Sequence, residues 1–394
     1  MKTKFLNALI LLPILWLFSG FLLVKDGDKI MISMIVISII VSIIKNGTSI
    51  IKRNIKDNKF LFLLIVITSY NIFSYYYHGQ SSRETRAFIG CTLFILCFPK
   101  ELLNDSLLRK LTLIGSISCF SFVYYYSIML HIDRGSWPII AIPQATLSAV
   151  IAIIAFSQFT YSYNRSQYIV AITAVVFSIT AILMSETRGV FIAVILSFIF
   201  LFAKHFSQKK FNTKLVTIIF FIFISIGLTL KSDIYQRYEQ TRIEMSDISK
   251  GDLNTSFGLR LLMWQTTPDM IKGHYLIGSG DGYINRFDEL YNEGLISKTL
   301  HDFRPAHFHN QYIDKLIKNG IIGLVLLLLL IIIPLIASLK KNNIFSDSVC
   351  GIVIIYAISA LTDVPFYYGH PLMMYLILVS ILTPIKVYNE KAYC

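Results

Sequence analysis

The sequence predicts an all-α integral membrane protein of about twelve transmembrane helices with one large, mainly helical outer loop. Three observations lead there. Of the 394 residues, 55% are hydrophobic and only 15% charged, with a mean hydropathy of +0.63; a soluble domain has about a quarter of its residues charged. Apolar runs of membrane-crossing length recur along the chain. Lys and Arg, finally, are distributed unevenly among the connections between those runs. The Gly, Pro and Cys totals exclude collagen, disorder and a disulfide scaffold. Cys91, Cys97, Cys119 and Cys350 lie inside apolar runs and no CxxC occurs, so they read as small hydrophobes packed between helices.

A helix needs about 20 apolar residues to cross a bilayer. Runs that answer this lie at 5–24, 30–44, 60–77, 87–98, 111–130, 139–159, 167–184, 189–203, 215–230, 320–339, 348–362 and 371–385. The first has the outline of a signal peptide, with Lys2 and Lys4 ahead of it. It lacks a small-x-small cleavage site and is long enough to span, so it counts as the first helix. The run at 87–98 is short and borrows Arg86 and Lys100 as snorkelling flanks. Residues 1–230 thus hold nine helices, 231–319 the large loop, and 320–394 three more helices and a short tail.

Orientation follows from the basic residues. With the N-terminus in the cytoplasm, the inner connections and tails hold nineteen of the 36 Lys and Arg, including Lys52, Arg53, Lys56, Arg109, Lys204, Lys340 and Lys341. The short outer connections hold six: Lys25, Lys29, Arg83, Arg86, Arg134 and Arg188. Both termini are then cytoplasmic. The other eleven lie in the segment 231–319 beside twelve acidic residues. The net charge of +13 therefore reports topology and attraction to anionic lipid. No basic patch interleaved with aromatics suggests nucleic acid.

Within the outer segment, Asp233–Lys250 reads as a polar helix, followed by a break at 251–256 and a helical pattern from Phe257 to Ile271. Gly278, Gly280 and Gly282 mark a turn, and 301–309 reads as irregular around Pro305. From Asn310 an amphipathic stretch leads into the tenth run.

An ionisable side chain at the edge of a span is costly and therefore a functional candidate. Arg188 stands in SETRG at an outer connection of about four residues, beside Glu186. Arg260 stands in the otherwise apolar FGLRLLMWQ. An interfacial arginine that snorkels to headgroups or pairs with a neighbour is the plain alternative for each. Of the loop histidines His274, His301, His307 and His309, the last opens the run into the tenth helix. A histidine fixed at a helix end suits proton transfer near neutrality. The spacings of His301, His307 and His309 match no common zinc pattern, although Asp302 and Asp314 keep a metal alternative open.

The run His309-Asn310, nine residues, then Gly320-Ile321-Ile322-Gly323 resembles the H-[NSQ]-x9-G-x-x-G pattern of the O-antigen ligase family. Thr187–Gly189 and Gly258–Leu261 resemble that family's two arginine-bearing segments, and the GSGDG turn its G-x-G. The resemblance implies a polysaccharide ligase of the bacterial inner membrane in lipopolysaccharide biosynthesis. It would transfer glycan from undecaprenyl diphosphate to lipid A–core oligosaccharide at the periplasmic face, with no metal or other cofactor. It implies His309 as the base that deprotonates the acceptor hydroxyl, and Arg188 and Arg260 as the groups that bind and neutralise the diphosphate. Arg83 and Arg86 are candidates for a further phosphate contact, and Asn310 for orienting the histidine or binding sugar. Independently of the family, fixed guanidiniums suit a leaving group that gains charge in the transition state.

An O-antigen polymerase using the same carrier is the nearest alternative. Polymerases often carry two large outer loops, whereas the connections at 78–86, 131–138 and 363–370 are short. Pilin glycan ligases tend to be longer, with an added C-terminal region. A lipid or glycan transporter would show paired broken spans in two halves, which this sequence lacks. A non-catalytic assembly scaffold is the remaining alternative.

Overall fold

The computed structural model describes residues 2–206, 231–253 and 255–384. The apolar run at 215–230, Lys209, Lys210, Lys214, and the tail with Lys386, Lys391 and Cys394 lie outside the described residues. Among the described residues there is no strand.

The chain opens with α1 (Lys2–Ile10) and α2 (Leu12–Leu17), which meet at a 50° bend. Pro13 sits in the first turn of α2, where its missing N–H ends the helix before it. There follow α3 (Gly27–Asn46), α4 (Ser49–Asp57), α5 (Lys59–His78), α6 (Ser82–Cys97), α7 (Asp105–Tyr124, prolonged by a π turn to Met129), α8 (Ala141–Thr160), α9 (Arg165–Met184) and α10 (Arg188–Phe206). The segment expected to be the large loop forms α11 (Lys231–Ser249), α12 (Ser256–Gln265), α13 (Thr267–Met270), α14 (Tyr283–Asn292) and α15 (Lys298–Phe303). The chain then returns through α16 (Gln311–Leu339), α17 (Ile344–Ser359) and α18 (Gly369–Leu382).

Seven of these, α3, α5, α7, α8, α9, α10 and α16, are long and apolar enough to cross a membrane, and the bent pair α1–α2 makes an eighth if it is one span. The sequence predicts twelve crossings. Helices α6, α17 and α18 coincide with three more of its runs but are shorter, at 16, 16 and 14 residues. Lys100, expected to snorkel beside α6, instead donates to the Ser380 carbonyl at the end of α18. The four cysteines within the helices are free and buried.

α8 and α18 form the centre. α8 is rich in Ala and Ile and packs against α7, α9, α10 and α17, so nearly all of its side chains are buried. Its serines close back onto their own helix, Ser148 on the Gln144 carbonyl and Ser157 on that of Ile153. The connections alternate between two ends. At one end Asn54 of α4 donates to the carbonyls of Ile95, Leu96 and Phe98, Arg109 to Gln158 and Tyr161, and Lys204 pairs with Asp347 at 2.7 Å. At the other end Arg134 meets Glu186, Gly189 meets Thr362, and Gly79 and Gly280 meet each other.

The outer segment has its own small core of Met263, Met270, Tyr283, Phe287, Leu290, Leu300, Phe308 and Ile317. The helical pattern read from 257 to 271 is interrupted at Thr266, because Pro268 lies in the first turn of α13 and favours a helix start there. α14 is not foreseen by the sequence reading. α15 occupies part of the stretch expected to be irregular, which is confined to 304–310.

One break ties this segment to the bundle. α16 is interrupted at Gly320, whose φ of 65° and ψ of −168° are not helical. The N–H groups of Ile321 and Ile322 therefore lose their helical acceptors and donate to the carbonyls of Tyr275 and Leu276 at 2.8 and 3.1 Å. The Ser279 N–H returns the exchange to the Ile317 carbonyl at 3.0 Å. A Cβ on Gly320 would lie 2.3 Å from Leu276, and one on Gly278 2.4 Å from the Asn319 nitrogen, so both glycines are required by close approach as well as by positive φ. Tyr70 and His78 of α5 seal the crossing by hydrogen bonding to the Asn319 and Ile277 carbonyls at 2.6 and 3.1 Å.

Gly320→Ala is expected to cost at least about 2 kcal/mol from backbone strain and clash, read as a lowered melting temperature in detergent. Gly282→Ala, at a φ of −66° and in open space, serves as the near-neutral control.

Candidate active site

The site is assembled by the residues that follow His309. Asn310 caps α16, its side-chain oxygen accepting the N–H groups of Tyr312 and Ile313 at 3.0 and 3.2 Å, while its amide nitrogen donates to the Leu361 carbonyl at 3.2 Å. Gln311 is buried. Its N–H is shared between the carbonyls of Ala360 and Asp363, and its side-chain oxygen accepts the Phe366 N–H at 2.9 Å. Tyr312 donates to the Ala357 carbonyl at 2.8 Å. Three consecutive side chains thus clamp the start of α16 onto the end of α17 and the connection that follows it. Asn310, a candidate for sugar binding in the sequence, has both ends of its amide engaged in this clamp.

The clamp sets Asp363 against His309. His309 has a φ of 48°, a left-handed conformation uncommon for a side-chain-bearing residue. Its Nδ1 lies 3.7 Å from Asp363 Oδ1, and neither that nitrogen nor Asp363 Oδ2 has a hydrogen-bond partner. Asp363 is buried, with 5% of its side chain exposed, while 24% of the His309 side chain is open. His307 packs edge-on against His309 at 4.4 Å between ring centres, and its Nε2 is bonded to the Tyr368 hydroxyl at 3.1 Å.

Arg260 is brought to the same connection from α12. Its Nη1 donates to the Thr362 carbonyl at 3.1 Å, one residue from Asp363. Trp264, one turn further along α12, donates to the Phe308 carbonyl at 2.9 Å, which ties that helix to the residue before His309. Gly258 lets α12 start tightly, since a Cβ there would lie 2.5 Å from the Leu253 carbonyl oxygen.

Arg188 begins α10, exposed and hydrogen-bonded to the Thr241 hydroxyl of α11. The next residue, Gly189, faces Thr362, whose hydroxyl a Cβ would meet at 2.6 Å. Glu186 does not take Arg188 as its partner in the way the sequence suggests; it receives Arg134 at 3.6 Å. Thr362 and Asp363 are therefore the meeting point of all three segments. Sequence reasoning passed over Asp363, because nothing in a short connection 54 residues from His309 signals the contact.

Arg83 and Arg86, on α6, line a polar cavity of about 490 Å³ with residues of the 280 turn and α16. The nearest carboxylate to Arg83 is Asp28 at 3.7 Å, and Arg86 is exposed. Two of the other loop histidines stand apart from the site. His301 is bonded to Asp288 at 2.9 Å and stacked on Tyr291, and His274 is exposed.

One group among the described residues has metal-ligand character: His307, His309 and Asp363 can each bring a coordinating atom within 4.8 Å of the others. The carboxylate is not either of those the sequence suggested. Asp302 lies against His301, and Asp314 pairs with Lys318 and accepts the Phe308 N–H.

Burial, reinforced by the neighbouring His309, pushes the His307 imidazole down to about 4 from its ordinary 6.5. The native state then refuses a proton that the unfolded chain accepts between those values. Stability is fully present above pH 6.5 and falls as the pH drops toward 4, by up to about 3 kcal/mol. Melting temperatures measured across this range should fall less steeply for His307→Gln than for the parent.

Residues 173–328 match the sequence model of the O-antigen ligase family. A Haemophilus influenzae protein, named only as uncharacterized, is 31% identical over 242 residues, covering 58% of this chain and 57% of that protein. The chain thus spans a little over half the length of this relative. Arg188, Arg260, His309 and the Gly320 break all fall inside the matched residues, so the segment that carries the candidate site is the one similar to the O-antigen ligase family.

Proposed function

We propose that the protein is an O-antigen ligase of the inner membrane, with twelve spans and cytoplasmic termini. It transfers polysaccharide from undecaprenyl diphosphate to lipid A–core oligosaccharide at the periplasmic face. The observation that carries this reading is the meeting of Arg260, His309 and the Arg188–Gly189 turn on Thr362 and Asp363. The alternation of connections between the two ends of the bundle supports the topology, since the short outer connections of the charge reading share the end that bears the site.

The chemistry follows from the positions. Asp363 faces Nδ1 of His309 and favours the tautomer that carries its proton there, which leaves the Nε2 lone pair for the acceptor. Nε2 takes the proton of the acceptor hydroxyl as its oxygen attacks the anomeric carbon. The bond from that carbon to the diphosphate oxygen breaks, and the electron pair leaves with the diphosphate. In this scheme Arg188 and Arg260 balance the growing charge with planar, bidentate donors. Asp363 is a positioning residue in this scheme, stabilising the imidazolium that forms.

In a strain lacking the native enzyme, His309→Ala should abolish polymer-capped lipopolysaccharide while the protein still inserts and binds carrier, since positioned base assistance is worth about 10²–10⁴-fold. Normal capping by that variant would remove His309 from the role. Extension of carrier-linked glycan without capping would identify a polymerase instead.

Arg188→Lys and Arg260→Lys should each lose most of their activity although the charge is kept, because the bidentate contact is lost. Full activity in both would make the arginines interfacial anchors. Chelators should leave transfer unchanged. Loss in EDTA that divalent metal restores would turn His307, His309 and Asp363 into a metal centre.

A further inference from the structure

The cavity beside α6 is built unlike a simple phosphate cradle. Its wall holds four cations, Arg83, Arg86, Lys315 and Lys318, against the carboxylates Glu84, Asp281 and Asp314. The two lysines are already neutralised. Lys315 pairs with Glu84, and Lys318 pairs with Asp314 at 2.9 Å. The Lys318 ammonium is held against the rings of Tyr283 and Tyr367, 4.7 and 5.3 Å from their centres. Aromatic faces and buried, fixed polar groups together make a surface for sugar rings and their hydroxyls. The remaining carboxylate, Asp281, has no ion pair among the described residues, and the remaining cations are the two arginines. Arg83 is half-exposed with Asp28 only at 3.7 Å, and Arg86 has no ion pair or hydrogen bond among the described residues.

The cavity also adjoins the histidines. Tyr367, part of its wall, packs on the His307 ring at 5.2 Å between centres, and His307 packs on His309 at 4.4 Å. Ala306, another wall residue, lies three positions before His309. Tyr367 and His307 thus stand in line between the cavity and His309.

We propose that this cavity is the acceptor subsite, and that it selects a glycan carrying an anionic group, which Arg83 and Arg86 bind while Tyr283, Tyr367 and the Lys318–Asp314 pair hold its sugar rings. This rests on the glycosyl-transfer reading above for its name, but not for the binding itself. A phosphorylated sugar is the shared chemistry; the acceptor and the carrier diphosphate are its two possible sources.

Binding to the full-length protein in nanodiscs separates them, with three probes: phosphorylated core oligosaccharide, the same oligosaccharide after phosphatase treatment, and undecaprenyl diphosphate. Arg86→Gln, at an exposed position, should weaken the phosphorylated oligosaccharide by about tenfold, the share of one charge-assisted contact. Arg83→Gln with Arg86→Gln should reduce it to the level of the phosphatase-treated probe, with undecaprenyl diphosphate within about twofold of the parent. In turnover the acceptor KM should rise while kcat is kept. The assignment is overturned if the double variant loses undecaprenyl diphosphate instead, which would give the cavity to the donor. It is overturned equally if all three probes bind the double variant as they bind the parent. A parent protein that binds the phosphorylated oligosaccharide through these arginines but transfers nothing to it would refute the ligase reading and leave the subsite standing.

Discussion

A backbone N–H inside a membrane protein must find an acceptor, and the arrangement around Gly320 is governed by that requirement. The break in α16 frees the N–H groups of Ile321 and Ile322, and the carbonyls of Tyr275 and Leu276 are the groups that answer them. Non-helical backbone within a membrane is tolerated only where protein encloses it, and around Gly320 α5 supplies such an enclosure through Tyr70 and His78. The segment after α10 is thereby fastened to the bundle by main-chain bonds. Gly278 and Gly320 are needed because two backbones touch, which connects a turn and a helix break that lie 42 residues apart.

With that segment fixed, the first turn of α16 has one orientation, and its polar side chains can reach the connection between α17 and α18. Asn310 and Gln311 bond to that connection, and Tyr312 to the Ala357 carbonyl in the last turn of α17. The result is a short piece of chain, 360–368, around which the candidate site is arranged: Thr362 receives Arg260 and faces Gly189, Asp363 faces His309, and Tyr367 and Tyr368 contact His307. The unpartnered Oδ2 of Asp363 and Nδ1 of His309 are costly in a buried setting. Together with the left-handed backbone of His309 they form the kind of local strain that surrounding structure holds in place at a working site.

The opposite end of the bundle shows the contrasting use of charge. Asp347 is fully buried there, yet both of its oxygens are occupied, by Lys204 and His205 at 2.7 Å each. Lys204 also binds the carbonyls of Ser338 and Lys341. That cluster is closed and holds α10, α16 and α17 together, whereas the groups around Asp363 are left open.

Much was legible in the sequence because it depends on local pattern. Apolar runs and the scarcity of charge determine a helical membrane protein, since only a hydrogen-bonded helix satisfies its own backbone in lipid. Arg188, Arg260 and His309 could be singled out one at a time, each from its position beside an apolar run. The convergence of Arg260 and His309 on Thr362 and Asp363 could not, because it depends on the partners of Gln311 and Trp264, whose side chains look ordinary in sequence. Asp363 was invisible for the same reason, as a carboxylate in a short connection carries no periodicity and no motif. The pairing of Glu186 with Arg134 rather than Arg188 was likewise decided in three dimensions, where the closer neighbour along the chain points away. Local composition determined which segments are helical and where ionisable groups stand. Which of those groups face one another was decided by the tertiary structure, through the burial of main-chain polar groups that must be satisfied between segments far apart in the chain.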